Sequence, residues 1–436
     1  MLFCSSAAAQ VGSGLELGVG ARAMAFAGNH TAVANDLSAA YWNPAALAFL
    51  PVREFQMSFD GFRIISSSGI EGSSITIRPG TKMGDNIDRV RMSSLGAMSA
   101  IPTLQGGLTI AASFDRPYIF DDYTVYTYRY FDGVDSASIH QKGGMSGDLN
   151  RWSGAFGVQV APNIAAGLSL SLITGTEKTP LLQTTWYDNP LPDDYRNEFG
   201  ITYRDPRLGD YYDGEDQYKY LGYALSLGAL YYPMDILKVG VKVNAVSNVG
   251  VSVTSFASDD PDRPRKSQGY PVKYRAYTAP SGAIGAGLVL PWLTTALDLR
   301  VTLPYTFILH ASEIPDGVQA KKFKLGAGIG LEAPLPASPV VLRAGYSFDE
   351  YDLYTMILKY EGFPIDWDED IDMGVSYWPS KDRHTLTAGV GFFTSGIGIE
   401  FSYAFQTWGI AYANSELSYM QDYASHRVMA ALIYRY

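Results

Sequence analysis

The strongest constraint on this chain is a two-residue rhythm that recurs along nearly its whole length. In 322–332 (KFKLGAGIGLE), Phe323, Leu325, Ala327, Ile329 and Leu331 alternate with Lys, Gly and Glu. In 396–406 (GIGIEFSYAFQ), Ile397, Ile399, Phe401, Tyr403 and Phe405 oppose Glu400, Ser402 and Gln406. Stretch 235–247 does the same with Leu237, Val239, Val241 and Val243. Period two means strands with one apolar face and one polar or small face.

Such runs predict about 14 strands. They lie near 52–63, 89–100, 106–115, 150–160, 163–174, 219–232, 235–247, 281–290, 293–303, 322–332, 339–348, 383–393, 396–406 and 425–436. Every second connection is short: "IPTLQ", "APN", "YPMD", "PWL", "EAPLPAS", "TSG". The others, near 116–149, 175–218, 248–280 and 349–382, are long and polar. An even strand number with tight turns at one end and long loops at the other predicts a transmembrane antiparallel β-barrel over 51–436. The long loops are expected outside the cell. A soluble sandwich would bury the apolar faces but would leave the alternation of turn and loop unexplained. No stretch suits a membrane helix, since the longest uncharged run, 276–297, is broken by Pro280 and Pro291.

Charged residues are only 18% of the chain, below the roughly 25% usual in soluble domains. The net charge of −11 argues against a nucleic-acid binder, which needs a basic patch. Loops 175–218 and 349–382 carry most of that acidity, either as solvated surface or as binding sites. Cys4 is the single cysteine, so neither an internal disulfide nor a thiolate cluster is expected. Residues 1–9, ending in three alanines before Gln10, read as the remainder of an export signal.

Candidate chemical motifs are weak. Gly18-Val19-Gly20-Ala21-Arg22-Ala23, with Asp36 downstream, matches a dinucleotide fingerprint, but no strand–crossover–helix pattern surrounds it. The five histidines, His30, His140, His310, His384 and His426, lack metal-ligand spacing. No enzyme, cofactor or metal is therefore expected. Asp298, Arg300, Lys322, Lys324, Glu332, Arg343 and Glu400 fall on polar strand faces and should point into the lumen. Mutual pairing is their first expected role, and Arg300, Arg343 and Lys324 are the candidate substrate contacts.

Residues 10–50 are too long for a mere lead-in. They are rich in Ala and Gly, with a helix expected from Asn35 or Asp36 to Asn43, before Pro44. A barrel of about 14 strands leaves a lumen wide enough to leak, so a luminal plug is the natural role for this segment. Its wording, "GARAMAFAGNHTAVANDLSAAYWNPAALA", resembles the N-terminal hatch of the FadL family of outer-membrane barrels. The family's Asn-Pro-Ala motif falls on Asn43, Pro44 and Ala45, next to Trp42. "PSKDRHTLTAGVGF" resembles the segment entering the family's third-last strand. The final strand, closing on Tyr436, resembles the recognition signal of the barrel-assembly machinery.

The resemblance implies a bacterial outer-membrane transporter for long-chain fatty acids or other hydrophobic small molecules. It implies capture at the outer loops and a hatch that shifts, with Trp42, Asn43, Pro44 and Ala45 as the gating motif. Expected partners are outer-membrane lipid, a hydrophobic ligand such as a fatty acid or detergent, and the assembly machinery. The hatch is also similar to that of PorV-type members and of spirochaete barrels. That implies an alternative: a protein-secretion partner or surface adhesin binding proteins through its acidic, Tyr-rich loops, where Trp186 and Tyr187 lie.

Overall fold

The computed structural model describes residues 15–16, 18–72, 89–103, 106–119, 122–131, 136–189, 208–245, 247–267, 272–278, 280–303, 306–307, 318–319, 323–350, 353–355, 376–378, 380–413 and 417–436. Fourteen antiparallel strands close into one ring. They are β1 Arg53–Gly72, β2 Arg89–Ile101, β3 Leu108–Ile119, β4 Ser136–Ala161, β5 Ile164–Tyr187, β6 Leu208–Met234 and β7 Leu237–Asn244, followed by β8 Ser281–Leu290, β9 Leu293–Thr302, β10 Lys324–Pro334, β11 Val340–Asp349, β12 Ser380–Phe393, β13 Ile397–Ala413 and β14 Leu417–Arg435. Each pairs with the next, and β14 returns to β1 from Glu54↔Arg435 to Gly72↔Leu417. Closure removes the two edges that an open sheet would expose.

The predicted strands are all present, and the short connections close one end of the ring. At that end the Tyr436 amide donates to the Arg53 carbonyl across the seam (3.1 Å). At the other end the strands run well past their expected limits. β4 begins at Ser136 rather than near 150, β5 reaches Tyr187 rather than 174, and β6 begins at Leu208 rather than 219. Much of loops 116–149, 175–218 and 248–280 is therefore extended. Asp122–Phe131 pairs with β4, while Ser247–Ser258 pairs with both β6 and Val272–Thr278. The physical reason is that pairing needs backbone, not grease. In the extensions of β4–β6 polar, glycine and aromatic residues predominate and aliphatics such as Leu149, Leu181, Leu182 and Leu208 are scattered, so the hydrophobic period that marks a strand fades while the ladder continues.

The two faces of the wall divide as the alternation requires. Large apolar side chains stand exposed outside on strand after strand, among them Leu170, Ile284, Leu299, Leu386, Phe401 and Val428. An exposed apolar surface that encircles the molecule is suited to hydrocarbon and not to water. The buried inner face carries Ser58, Asp60, Ser169, Asp298, Arg343 and Arg427.

Candidate functional site: the N-terminal segment and its seat

Residues 18–50 lie inside the ring. Helix α1 (Ala21–Ala25) packs on β11–β14, while a 3-10 helix, Pro44–Phe49, packs across the lumen on β3–β6. Between them α2 spans only Ala39–Trp42, so the expected helix ends where proposed but starts later. Asp36 accounts for the late start. Its carboxylate accepts from the amide and hydroxyl of Ser38, a local turn that competes with helix.

The Asn-Pro-Ala motif sits at the buried centre of this packing. Asn43 is extended (φ −161°, ψ 100°), which ends α2, and its Oδ1 accepts from the Ala45 amide at 3.1 Å as the cap of the 3-10 helix. Pro44 occupies the first helical position, where its missing N–H costs nothing. Asn43 Nδ2 donates to the Thr31 carbonyl within the segment (2.8 Å) and to the Ala229 carbonyl on β6 (3.2 Å). One amide thus ties two turns of the segment together and both to the wall. Trp42 Nε1 donates to the Val19 carbonyl (2.7 Å). The Trp42 ring lies on Gly18 and Gly28, both with positive φ, where a Cβ would come within 2.6 and 3.2 Å of it.

Close approach on the wall side is permitted by glycine. Gly157, Gly167 and Gly228 are register partners on β4, β5 and β6. A Cβ on Gly167 would lie 2.2 Å from the Pro44 carbonyl carbon, and one on Gly228 only 2.1 Å from Asn43 Oδ1. Across the ring Gly330 and Gly345, also register partners, admit Phe26 and the backbone behind it. The small face read in the sequence of β10 is thus a seat for the segment.

Charges lock the same interface. Arg22, buried on α1, donates to both oxygens of Glu332 (2.7 and 2.9 Å) and to the Val33 carbonyl (2.7 Å). Glu332 also accepts from Arg343 (2.7 Å), which pairs with Glu400 at 2.9 Å. Asp298 accepts from the amide and hydroxyl of Thr31 (3.0 and 2.7 Å). Arg300 is shared between Asp349 (2.9 Å) and Asn29 (3.0 Å). Glu54 accepts from the Leu37 amide and from Arg435, both at 2.7 Å. Arg343 and Arg300, proposed as substrate contacts, are thus occupied by carboxylates and by the segment. Lys324 is half-buried at the start of β10, and Lys322 lies outside the described residues.

The sequence placed Arg22 and Tyr41 in the hatch wording but gave neither a role of its own. Tyr41 is held between Arg151 and Lys242, whose cationic groups lie 4.8 and 4.7 Å from its ring centroid. Beside it, a cavity of about 10 Å³ is lined by Val19, Leu37, Gln56, Ser94 and Asp115 among others. That is room for one water and not for an organic solute. His30 is fully buried between Phe26 and Trp42, and neither ring nitrogen has a partner among the described residues. Burial, aided by Arg22, pushes it down to about 3, so it is neutral.

A closed barrel with a greasy exterior, a polar interior and residues 18–50 packed inside the ring defines a transmembrane β-barrel with a filled lumen. The chain shares the fold of the FadL-family transport barrels. It superposes on the P. putida toluene transporter TodX with TM-score 0.59 at 14% identity, covering 97% of this chain and 99% of that one. A Pseudomonas aeruginosa FadL homologue gives 0.58 at 13%, covering 95% and 98%. The monoaromatic hydrocarbon channel CymD gives 0.52 at 13%, with the same coverage. No protein-family model and no curated protein sequence matches the chain.

Proposed function

We propose that this protein is a bacterial outer-membrane transporter for hydrophobic small molecules, and that residues 18–50 are its hatch. The observation that carries this reading is the buried segment, held by Asn43, Arg22 and the glycine seats. A lumen so filled does not suit free diffusion, and a solute must be captured and the segment displaced. The solved barrels of like fold are described as a toluene transporter, a FadL homologue and a monoaromatic hydrocarbon channel, which supports a hydrophobic cargo. Long-chain fatty acids and small aromatic hydrocarbons are the two candidate classes. The charged lumen at hatch level is no resting place for either, so initial capture belongs to the long-loop end. The C-terminal strand and Tyr436 serve assembly.

The test is uptake of labelled oleate and of labelled toluene by cells carrying wild type or Asn43→Ala. Barrel insertion is checked by heat-dependent gel mobility. Loss of Asn43 strands the Thr31 and Ala229 carbonyls, at about 1–3 kcal/mol, and should change uptake of the true cargo at least severalfold. Equal uptake at equal surface abundance would remove the gating role, and no uptake of either probe by wild type would remove the transport reading.

One observation favours the second reading, a protein-binding barrel. Strands β4–β6 and their added partners project past the apolar band as a continuous sheet, with Arg265 bridging Asp213 and Glu215 at its rim. Co-purification of a stoichiometric protein partner with no lipophilic ligand in the barrel would favour it.

A further inference from the structure

The outer wall changes character at one level. On β1 the outward side chains Phe55 and Phe59 are exposed, and Arg63, ten residues beyond Arg53, is the first cation above them. On β14 exposed Tyr434, Leu432 and Val428 lead to His426, ten residues from Tyr436. On β12 exposed Phe392, Val390 and Leu386 lead to His384. Ten tilted strand residues climb about 25 Å, the height of the apolar band in such barrels. Arg63 and both histidines therefore stand where hydrocarbon gives way to headgroups.

Arg63 and His426 are direct register partners, which places their Cβ atoms about 4.5–5.5 Å apart on the same face. His426 Nδ1 is bonded to the Tyr403 hydroxyl (2.7 Å), and its ring packs on Phe405. The arrangement is repeated two strands along, where His384 Nδ1 meets the Tyr346 hydroxyl (2.8 Å) beside Phe348. In the tautomer in which the phenol donates to Nδ1, the imidazole carries its proton on Nε2 and offers a second donor. Among the described residues Arg63 has no carboxylate partner, unlike the luminal arginines 22, 91, 300, 343 and 427. The next carboxylate on this face of β14, Asp422, lies four residues farther on.

We propose that Arg63 and His426, with Tyr403 orienting the imidazole, form a docking site on the outer wall for the phosphate of an anionic lipid headgroup. The guanidinium supplies a fork of donors that matches phosphate geometry, and the imidazole Nε2–H adds another. The apolar band directly beneath, including Val428 and Phe59, receives the acyl chains. Only a lipid satisfies both halves at once, since free phosphate has nothing to place on the band. The site rests on the membrane-spanning fold and is independent of what the barrel carries.

The experiment is native mass spectrometry of the full barrel released from nanodiscs of equimolar phosphatidylglycerol and phosphatidylcholine. Wild type should retain phosphatidylglycerol about fivefold over phosphatidylcholine, the scale of one basic residue at a membrane surface. R63Q/H426Q should retain the two lipids equally, with unchanged heat-dependent mobility showing that it folds. K219Q, which removes an exposed lysine on β6, should keep the wild-type preference, and excess inorganic phosphate should not displace the lipid. Equal retention by wild type, an unchanged preference in R63Q/H426Q, an equal loss in K219Q, or displacement by free phosphate would each overturn the proposal.

Discussion

At the scale of single residues, buried polar groups in the segment behave as fasteners or as liabilities according to whether they are paired. Asn43 uses both ends of its amide and holds three chain segments. His30 uses neither nitrogen. Its pKa of about 3 in the folded segment lies below the ordinary 6.5, so between those values the displaced segment binds a proton that the seated one refuses. The seated state is then fully favoured above about pH 6.5 and loses support as pH falls toward 3, by at most about 1.4 kcal/mol per unit. Hydrogen exchange of residues 18–50 should accelerate from pH 7 to pH 4 relative to the intrinsic rate, and His30→Phe should flatten that dependence. A His30→Phe profile as steep as wild type would assign the acid response to other groups.

At the scale of elements, the fit of the 3-10 helix to the wall depends on what is missing from β4–β6. Gly167 faces Pro44 at a distance no side chain can share. Gly167→Leu is expected to keep the ring, whose ladder does not need that position, and to push the helix off its seat. In planar bilayers the variant should conduct steadily under conditions where wild type is closed, and a silent Gly167→Leu channel would show that the seat is not the seal. On the opposite side, Arg343 stands between Glu332 and Glu400. Arg343→Gln leaves those carboxylates buried without their shared cation, a loss of about 3–5 kcal/mol. It should lower the unfolding temperature read by gel mobility far more than Lys219→Gln on the outer surface.

At the scale of the whole molecule, ring and segment are separable in principle, because every strand finds both of its neighbours in the ring. Deleting 21–50 should leave an insertable barrel with a permanently open, ohmic conductance, since 14 strands enclose more than side chains alone can fill. It should also melt earlier than wild type, as Glu332, Asp298 and Glu54 each lose a donor from the segment. A deletion barrel that inserts but does not conduct would mean that the wall closes on itself.

Strand number, the inner and outer faces of the wall, the tight-turn end and the break at Asn43-Pro44 are all legible in local pattern. Each follows from a local rule: period two sorts faces, turn residues punctuate, and proline forbids a helix interior. The reach of β4–β6, the crossing of Arg22 to Glu332, and the meeting of glycines from different strands with the segment come only from the folded chain. Those outcomes depend on residues far apart along the chain, 310 positions for the Arg22–Glu332 pair. A ladder can continue without grease, and a glycine shows its purpose only when something presses against it. The charged positions illustrate the divide best. Alternation places Arg300 and Arg343 in the lumen, but whether they await a ligand or already hold Asp349 and Glu332 is a matter of distance, and distance belongs to the folded chain.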